Sequence, residues 1–348
     1  MPHSLHIGMV SFDSPPHIGG MGRHVGTLVE GLKKEGIQVS LFDRTKRPIH
    51  SRIARSIGFS CGIEQSLRRW IEREGINLLH VHTGPGGVLL RRRIEHIPLV
   101  VTANHTYAQQ SALAGQSWKK FLIPWEKRTY LLADRIICIS QDTADIVRDR
   151  YGIDPAKIVT IPCGFDLMPW IDADHSPDQR DPSRCVFAGR PDARKGWDLL
   201  LAAWPIIRSR HPEAMLDAAG FVGEPMDGVT YHGRVSDDQL RTMMGSAALT
   251  MVPSRFEGFG LIAAESIACG TPVIATNVAG LRTVVDFDRS GLLVAPDARS
   301  IAEAAMRVLQ DRVLWNRLHA ECQAGRGRFD LRTEIDAQRK VYRLQSNS

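Results

Sequence analysis

The sequence predicts an α/β protein of two doubly wound, Rossmann-like domains facing each other across a cleft. Three observations lead there. The chain has 348 residues, which at roughly 100–200 residues per domain gives two domains. Short apolar runs alternate with helix-period segments along most of its length. One stretch near the middle breaks the alternation.

Residues 5–12 form an apolar run bounded by Asp13, Ser14, Pro15 and Pro16, as expected of a buried strand. Val25, Leu28, Val29 and Leu32 follow at i, i+3, i+4 and i+7, one face of a helix that Gly36 ends. Further strands are expected at 37–42, 76–81, 97–103, 135–140 and 157–162. Near-continuous apolar strands interleaved with helices imply a parallel sheet covered on both faces. Three prolines and five aspartates in 166–183 make a poor strand or helix. The expected organisation is therefore a first domain at 1–166, a linker at 167–183 and a second domain at 184–328. A closing helix at 329–348 is expected to pack back on the first domain. In the second domain, strands are expected at 184–189, 214–218, 229–232, 247–252 and 272–275, with a helix at 196–210. Ligands of such sheets bind at the carboxyl ends of the strands.

Hydrophobic residues make up 43% of the chain, charged 24% and aromatic 7%, which excludes disorder and low complexity at the level of the whole chain. No apolar run approaches the roughly 18–20 residues of a membrane span. The N-terminus has no basic region and no cleavage site of a signal peptide, so a cytoplasmic protein is expected. The six cysteines form no C-x-x-C pair and several lie in apolar runs, so reduced structural thiols are expected. The 13 histidines show no H-E-x-x-H spacing, and no metal site is expected. The net charge of +6 is uneven: residues 1–165 hold 22 Lys and Arg against 14 Asp and Glu, the remainder 22 against 24. The first half thus suits an anionic partner, or carries a solvated basic face.

Three constellations carry chemistry. Residues 15–24, PPHIGGMGRH, follow the first strand and open the first helix. Gly19 and Gly20 there would let backbone N–H groups approach a phosphate at a helix N-terminus. The fingerprint is not G-x-G-x-x-G, and Asp43 is the nearest acidic residue to the end of the second strand. Residues 187–196, FAGRPDARKG, place Arg190, Arg194 and Lys195 beyond a strand end, where bidentate guanidinium and compact ammonium suit a diphosphate. Residues 253–272 place Glu257, Gly258, Phe259 and Gly260 in a loop and Leu261 at a helix start. Glu265 lies on that otherwise apolar helix. If it faces inward it needs a polar partner, for which two sugar hydroxyls are suited. Taken singly, the same segments also fit a flexible turn, a solvated loop and an exposed helix glutamate.

Together these motifs resemble the retaining family-4 glycosyltransferases, which have the GT-B fold. The ordered set comprises Gly19-Gly20, Gly189-Arg190 to Lys195-Gly196, and E-G-F-G with Glu257 and Glu265 eight apart. It also includes 161–166, IPCGFD, similar to I-P-N-G-V-D with Cys163 for Asn, together with 269–275 and 290–294. The resemblance implies that Gly20 meets the donor diphosphate and that Arg190 and Lys195 neutralise it. Glu257 would sit beside the transferred sugar, and His105 near its C6 hydroxyl. Amides of Phe259, Gly260 and Leu261 would meet sugar and phosphate, and Glu265 the ribose hydroxyls. Gly233, Arg234 and Val235 would contact the base. Thr283 stands where the family usually has a glutamate, three residues after Gly280.

The implied activity is metal-independent transfer of a hexose from a nucleoside-diphosphate sugar to an acceptor hydroxyl, with retention, in glycan, exopolysaccharide or glycolipid biosynthesis. No cofactor is implied beyond the donor, whose base and hexose stay open between UDP-sugar and GDP-mannose. The acceptor would be a sugar, a glycan or a lipid-linked saccharide. A sugar-nucleotide epimerase and a non-catalytic nucleotide-sugar-binding subunit are the alternatives. A glycan phosphorylase is disfavoured because no pyridoxal lysine signature is visible.

Two basic–aromatic segments lead to a further expectation, contact of the first domain with an anionic membrane surface on the inner face of the cell membrane. One holds Arg44, Lys46, Arg47, Arg52 and Arg55 among Ile49, Ile53, Ile57 and Phe59. The other is 118–128, with Trp118, Lys119, Lys120, Phe121, Trp125, Lys127 and Arg128. No nucleic-acid motif is present. The alternative is a mobile loop at 44–59 and an ordinary buried helix at 118–128.

Overall fold

A computed structural model describes residues 5–14, 20–46, 55–84, 87–94, 96–113 and 117–346. The chain divides into two compact units, one of Met1–Phe165 with Leu331–Ser348, the other of Asp166–Asp330.

The first unit is built on strands β1 (His6–Val10), β2 (Gln38–Phe42), β3 (Leu78–Thr83), β4 (Leu99–Ala103), β5 (Arg135–Cys138) and β6 (Ile158–Thr160). They pair in parallel in the order β2-β1-β3-β4-β5-β6. All five residues of β1 and of β4 are buried, as the unbroken apolar runs predict for strands covered on both faces. Alternate residues feed two cores. Val10, Leu79, Val81 and Val101 pack with Phe42, Phe59 and Trp70 on one side. Ile7, Met9, Leu78 and Val100 pack with Val25, Leu28 and Leu32 of helix Gly20–Lys34 on the other.

Helix Leu331–Ser346 belongs to this unit. A Cβ on Gly31 would come within 2.6 Å of Ile335 Cδ1 and 2.8 Å of Leu331 Cδ2, so the two helices pack closely at this glycine. Glu334, Gln338 and Tyr342, spaced four apart on one face, form a polar row. Glu334 takes His24 Nε2 at 2.9 and 3.0 Å and the N–H of Gly164 at 2.7 Å. Gln338 donates to Glu334 at 2.8 Å and accepts from the Tyr342 hydroxyl. Tyr342 shares a hydrogen bond of 2.9 Å with His80 on β3, whose other ring nitrogen meets Thr102 on β4 at 2.7 Å. Burial alone would depress the His24 pKa, but Cys163 and Glu334 outweigh it and hold the imidazole well above its usual value.

The second unit holds β7 (Asp181–Ala188), β8 (Met215–Ala219), β9 (Val229–Gly233), β10 (Ala247–Val252), β11 (Val273–Thr276) and β12 (Gly291–Val294), in the parallel order β12-β11-β10-β7-β8-β9. Phe187, Trp204, Leu216, Met251, Ile274 and Trp315 are among its core.

Two features differ from the sequence expectation. The segment 167–183 is not a free linker: it contains helix Met168–Ile171 and a 3₁₀ turn at Pro177–Gln179, and β7 starts within it at Asp181. Arg180, 4% exposed, anchors it. Its guanidinium bonds Asp174 at 2.7 Å, Thr271 Oγ1 at 2.6 Å and the Ala247 carbonyl at 2.9 Å. A composition rich in Asp and Pro hides a segment held by one buried arginine. The second feature is β12, a strand that the sequence expectation lacked. No disulfide joins any of the six cysteines; Cys61 is exposed and the other five are buried. Among the described residues no group of three His, Cys, Asp or Glu could hold a metal ion, and no helix is long and apolar enough to cross a membrane.

Glu126 lies wholly buried on helix Ile123–Leu132. It accepts the Tyr107 N–H at 2.8 Å and the Tyr151 hydroxyl. Burial pushes its carboxyl up to about 7 against an ordinary value of 4.5, and the bonds from Tyr151 and Tyr107 only partly offset that. Between those two pH values the folded chain keeps a proton that the unfolded chain has released, so stability falls as pH rises through the window. Glu126→Gln should remove this slope. Urea unfolding of both proteins from pH 4.5 to 7.5 measures it, and equal slopes would contradict the account.

Candidate functional site

In the second sheet the chain runs from β7 to β8 on one side, while β10 flanks β7 on the other. The loops beyond the carboxyl ends of β7 and β10 therefore meet at a topological switch point, the ordinary ligand position of such a sheet. These are the segments that carry Arg190 to Lys195 and Glu257.

Local structure fixes both loops. Asp192 accepts the Lys195 N–H through its side chain at 2.9 Å and its carbonyl at 3.0 Å, closing a turn. Gly196 then takes φ +69°, and a Cβ there would lie 1.8 Å from the Pro253 carbonyl oxygen. This close contact locks one loop against the other. Arg255 reinforces it: its N–H reaches the Arg194 carbonyl at 2.8 Å, and its guanidinium grips Asp198 at 2.6 and 2.7 Å. Gly260 has φ +104°, and Gly280 is hemmed by the Glu257 carbonyl, 2.7 Å from where its Cβ would stand.

Glu257 is the centre of the arrangement. It is 7% exposed. Its Oε1 takes Lys195 Nζ at 2.5 Å and the Ser254 hydroxyl at 2.9 Å, and Arg194 stands 3.8 Å from Oε2. Burial by itself would raise its pKa. The Lys195 ammonium, with help from Arg194 and Ser254, reverses this and holds the carboxyl below the usual glutamate range. Two helices start at these loops, Trp197–Arg210 after Gly196 and Leu261–Ala268 after Gly260, and the glycine before each brings no capping side chain. The Asp198 carboxylate takes amides in the first turn of the former, so the start of the latter is the one open to an anion.

The structure brings Arg194, Lys195 and Glu257 together, with Gly258, Phe259, Gly260 and Leu261 leading into the second helix. It places Arg190 differently: exposed, with its guanidinium 3.4 Å from Asp192. The arginine on the Glu257 carboxylate is Arg194. Glu265 is 1% exposed on its helix, so it faces inward and not toward solvent. Gly233, at φ +61°, ends β9, and Arg234 after it is exposed. In the first unit, Gly20 opens helix Gly20–Lys34 and His105 follows β4. Gly19 lies outside the described residues. Sequence reading missed Ser254, Arg255, Asp198 and Asp192. Asp192 had a visible signal, an aspartate three residues before Lys195 in a turn-forming segment.

Residues 18–168 match the family described as Glycosyltransferase Family 4, and residues 182–311 match Glycosyl transferases group 1. A D-inositol 3-phosphate glycosyltransferase of Segniliparus rotundus is 31% identical over 376 residues, covering 96% of this chain and 78% of the relative. The chain belongs to glycosyltransferase family 4. A glycogen synthase of Mycobacterium tuberculosis is 25% identical to this glycosyltransferase, over 97% of the chain and 94% of the relative. Among solved structures, a sucrose-phosphate synthase from Thermosynechococcus elongatus superposes with a TM-score of 0.80 at 23% identity, covering 98% of each chain. Anabaena HepE, solved with UDP and glucose, gives 0.72 at 15% identity, over 98% of this chain and 100% of that one. The glycosyltransferase has the GT-B fold of these neighbours.

Gly196→Ala should destabilise the second unit by at least about 2 kcal/mol, since it combines left-handed backbone strain with a backbone clash. Chemical denaturation checks this. A loss under about 0.5 kcal/mol, the range of an indifferent surface change, would mean that the loops are not locked as described.

Proposed function

We propose that this glycosyltransferase moves a hexose from a nucleoside-diphosphate sugar to a hydroxyl of a sugar, glycan or lipid-linked acceptor. Transfer retains the anomeric configuration and uses no metal ion. The observation that carries the reading is the Lys195–Glu257–Arg194 cluster at the switch point, flanked by two helix starts. A departing diphosphate gathers negative charge as the bond from the anomeric carbon to its oxygen breaks. Lys195, Arg194 and the helix amides are fixed donors for that charge, and such preorganised groups favour the transition state over the ground state. The anomeric carbon takes the acceptor oxygen on the same face, and the acceptor proton passes to the leaving phosphate. The neighbours, a sucrose-phosphate synthase and HepE bound to UDP and glucose, support a nucleotide-linked hexose. Glu265, turned inward on the second helix, is suited to the ribose hydroxyls, and Glu257 to the sugar. A cytoplasmic site of action in glycan, exopolysaccharide or glycolipid synthesis fits this chemistry.

A panel of UDP-, GDP- and ADP-hexoses, scored by diphosphate release and by the anomeric configuration of the product, tests the reading directly. Lys195→Ala should lower kcat/KM by roughly 100-fold or more, because a charge-assisted bond is worth about 1.5–3 kcal/mol before its transition-state share is added. Full activity in that variant, or activity abolished by a chelator, would overturn the assignment.

The two glutamates should separate by calorimetry with the free nucleoside diphosphate. Glu265→Gln should weaken binding about tenfold, the scale of one hydrogen bond to a charged group. Glu257→Gln should leave binding unchanged or tighter, since it releases Lys195 from its carboxylate, while transfer falls. Equal losses of binding in both variants would contradict the division of roles.

A further inference from the structure

The second basic–aromatic segment is exposed. Residues Ser117–Leu122 form a 3₁₀ turn with no buried side chain, leading directly into helix Ile123–Leu132. Trp118 is 54% exposed, Phe121 71% and Trp125 43%, and Leu131 continues the ridge at 49%. Cations surround it. Lys120, Lys127, Arg128 and Arg91 are exposed and Lys119 is half-buried. The Arg91 guanidinium lies 4.4 Å from the centre of the Trp125 ring, and Lys120 Nζ 5.3 Å from that of Phe121. From His96 to Ala133 the sequence holds one acidic side chain, Glu126, and it is buried beneath the ridge. This stretch therefore presents aromatic rings and positive charge with no carboxylate at the surface.

The first segment does not join it. Phe59 is fully buried against Phe12 and Phe42. Arg44 reaches Asp13 at 3.9 Å, and Lys46 lies over the Trp70 ring. Arg47, Ile49, Arg52 and Ile53 lie outside the described residues, and nothing is described of the Arg55 side chain.

We infer that the Trp118–Phe121–Trp125 ridge docks the protein on an anionic lipid bilayer. Tryptophan rings settle at the level of the headgroups, and interspersed lysine and arginine are drawn to acidic lipid. Charge complementarity decides the occupant. Lysine is depleted from the cores of protein–protein interfaces, whereas here Lys119 and Lys120 lie between the Trp118 and Phe121 rings and Lys127 follows Trp125. The inference is independent of the transfer reaction, since none of these residues lies in the loops around Lys195 and Glu257. It also has a structural consequence. Glu126, on the helix that carries Trp125, holds the N–H of Tyr107, two residues beyond His105, so the docking surface and the His105 segment share one buried anchor.

The full-length protein is floated with phosphatidylcholine vesicles, with and without phosphatidylglycerol, at low and high salt. Two variants are compared with it after each is shown to melt with the wild type: Lys120→Ser/Lys127→Ser/Arg128→Ser, and Trp118→Ser/Phe121→Ser. Expected is flotation with anionic vesicles at low salt, little with neutral ones, and a blue shift of tryptophan fluorescence. The charge variant should bind roughly 100-fold more weakly, about five-fold per cation, and the aromatic variant, which keeps Trp125, should show a smaller blue shift. Nucleoside-diphosphate binding should be the same in all three, so failed flotation leaves the transferase reading untouched. The inference is overturned if the wild type ignores anionic vesicles at low salt, or if both variants float as it does. It is also overturned if a single-stranded oligonucleotide, and not the vesicles, is bound and is lost in these variants.

Discussion

The ion pair between Lys195 and Glu257 is the interaction on which the candidate site depends. It joins side chains 62 positions apart in sequence, across a distance of 2.5 Å, and it can exist only because β7 and β10 are neighbours in the sheet. A buried carboxylate costs several kcal/mol to desolvate unless it is paired and hydrogen-bonded. Glu257 meets that requirement with one ammonium, one hydroxyl and a more distant guanidinium. The same requirement explains the glycines around it. Gly196 and Gly280 are where the loops come close enough to deliver those partners, and a side chain at either would run into backbone, while Gly260 is held at φ +104°.

The first unit is closed by a different device. The row Glu334, Gln338 and Tyr342 satisfies polar groups on the helix, on β3 and at Gly164 in one connected network. Removing one member of such a network leaves the rest buried and unsatisfied, which makes it stricter than apolar packing about register. Helix Gly20–Lys34, whose first residue is the proposed diphosphate glycine, takes part through His24. Its position is therefore set by a segment more than 300 residues later in the chain.

Periodicity and composition marked every strand of the two sheets except β12. The apolar runs at β1, β3, β4 and β10 are buried on both faces, and burial on both faces is what an unalternated run means. The site was legible where chemistry-bearing residues follow directly on a strand, as Lys195 and Glu257 do. Which arginine would turn inward was not legible. Arg190 and Arg194 share one loop, and the Asp192 turn that points Arg194 at Glu257 is a hydrogen-bond pattern with no periodic signature. The Arg255–Asp198 clamp and the Arg180 anchor were hidden for a related reason. Each is a contact between residues that sequence spacing does not relate, inside segments that look polar and irregular. Phe59 shows the opposite error: an aromatic beside basic residues reads as interfacial, yet its ring completes the Phe12–Phe42 core.

The distribution of charge separates two tasks. The Lys195 cluster lies in the half of the chain with 22 basic and 24 acidic residues, so its attraction for an anion is local. It comes from two cations, Lys195 and Arg194, which outnumber the one Glu257 carboxylate that holds them, and from the helix start that follows Gly260, where burial makes such charges strong. The basic excess lies in residues 1–165, away from that cluster in sequence and in unit. Charge spread over an exposed surface acts at the range of a Debye length and is weakened by salt. It suits a large, diffuse anionic partner better than one diphosphate. The exposed cations around Trp118, Phe121 and Trp125 have that character, which is why donor recognition alone does not account for the charge of the first unit.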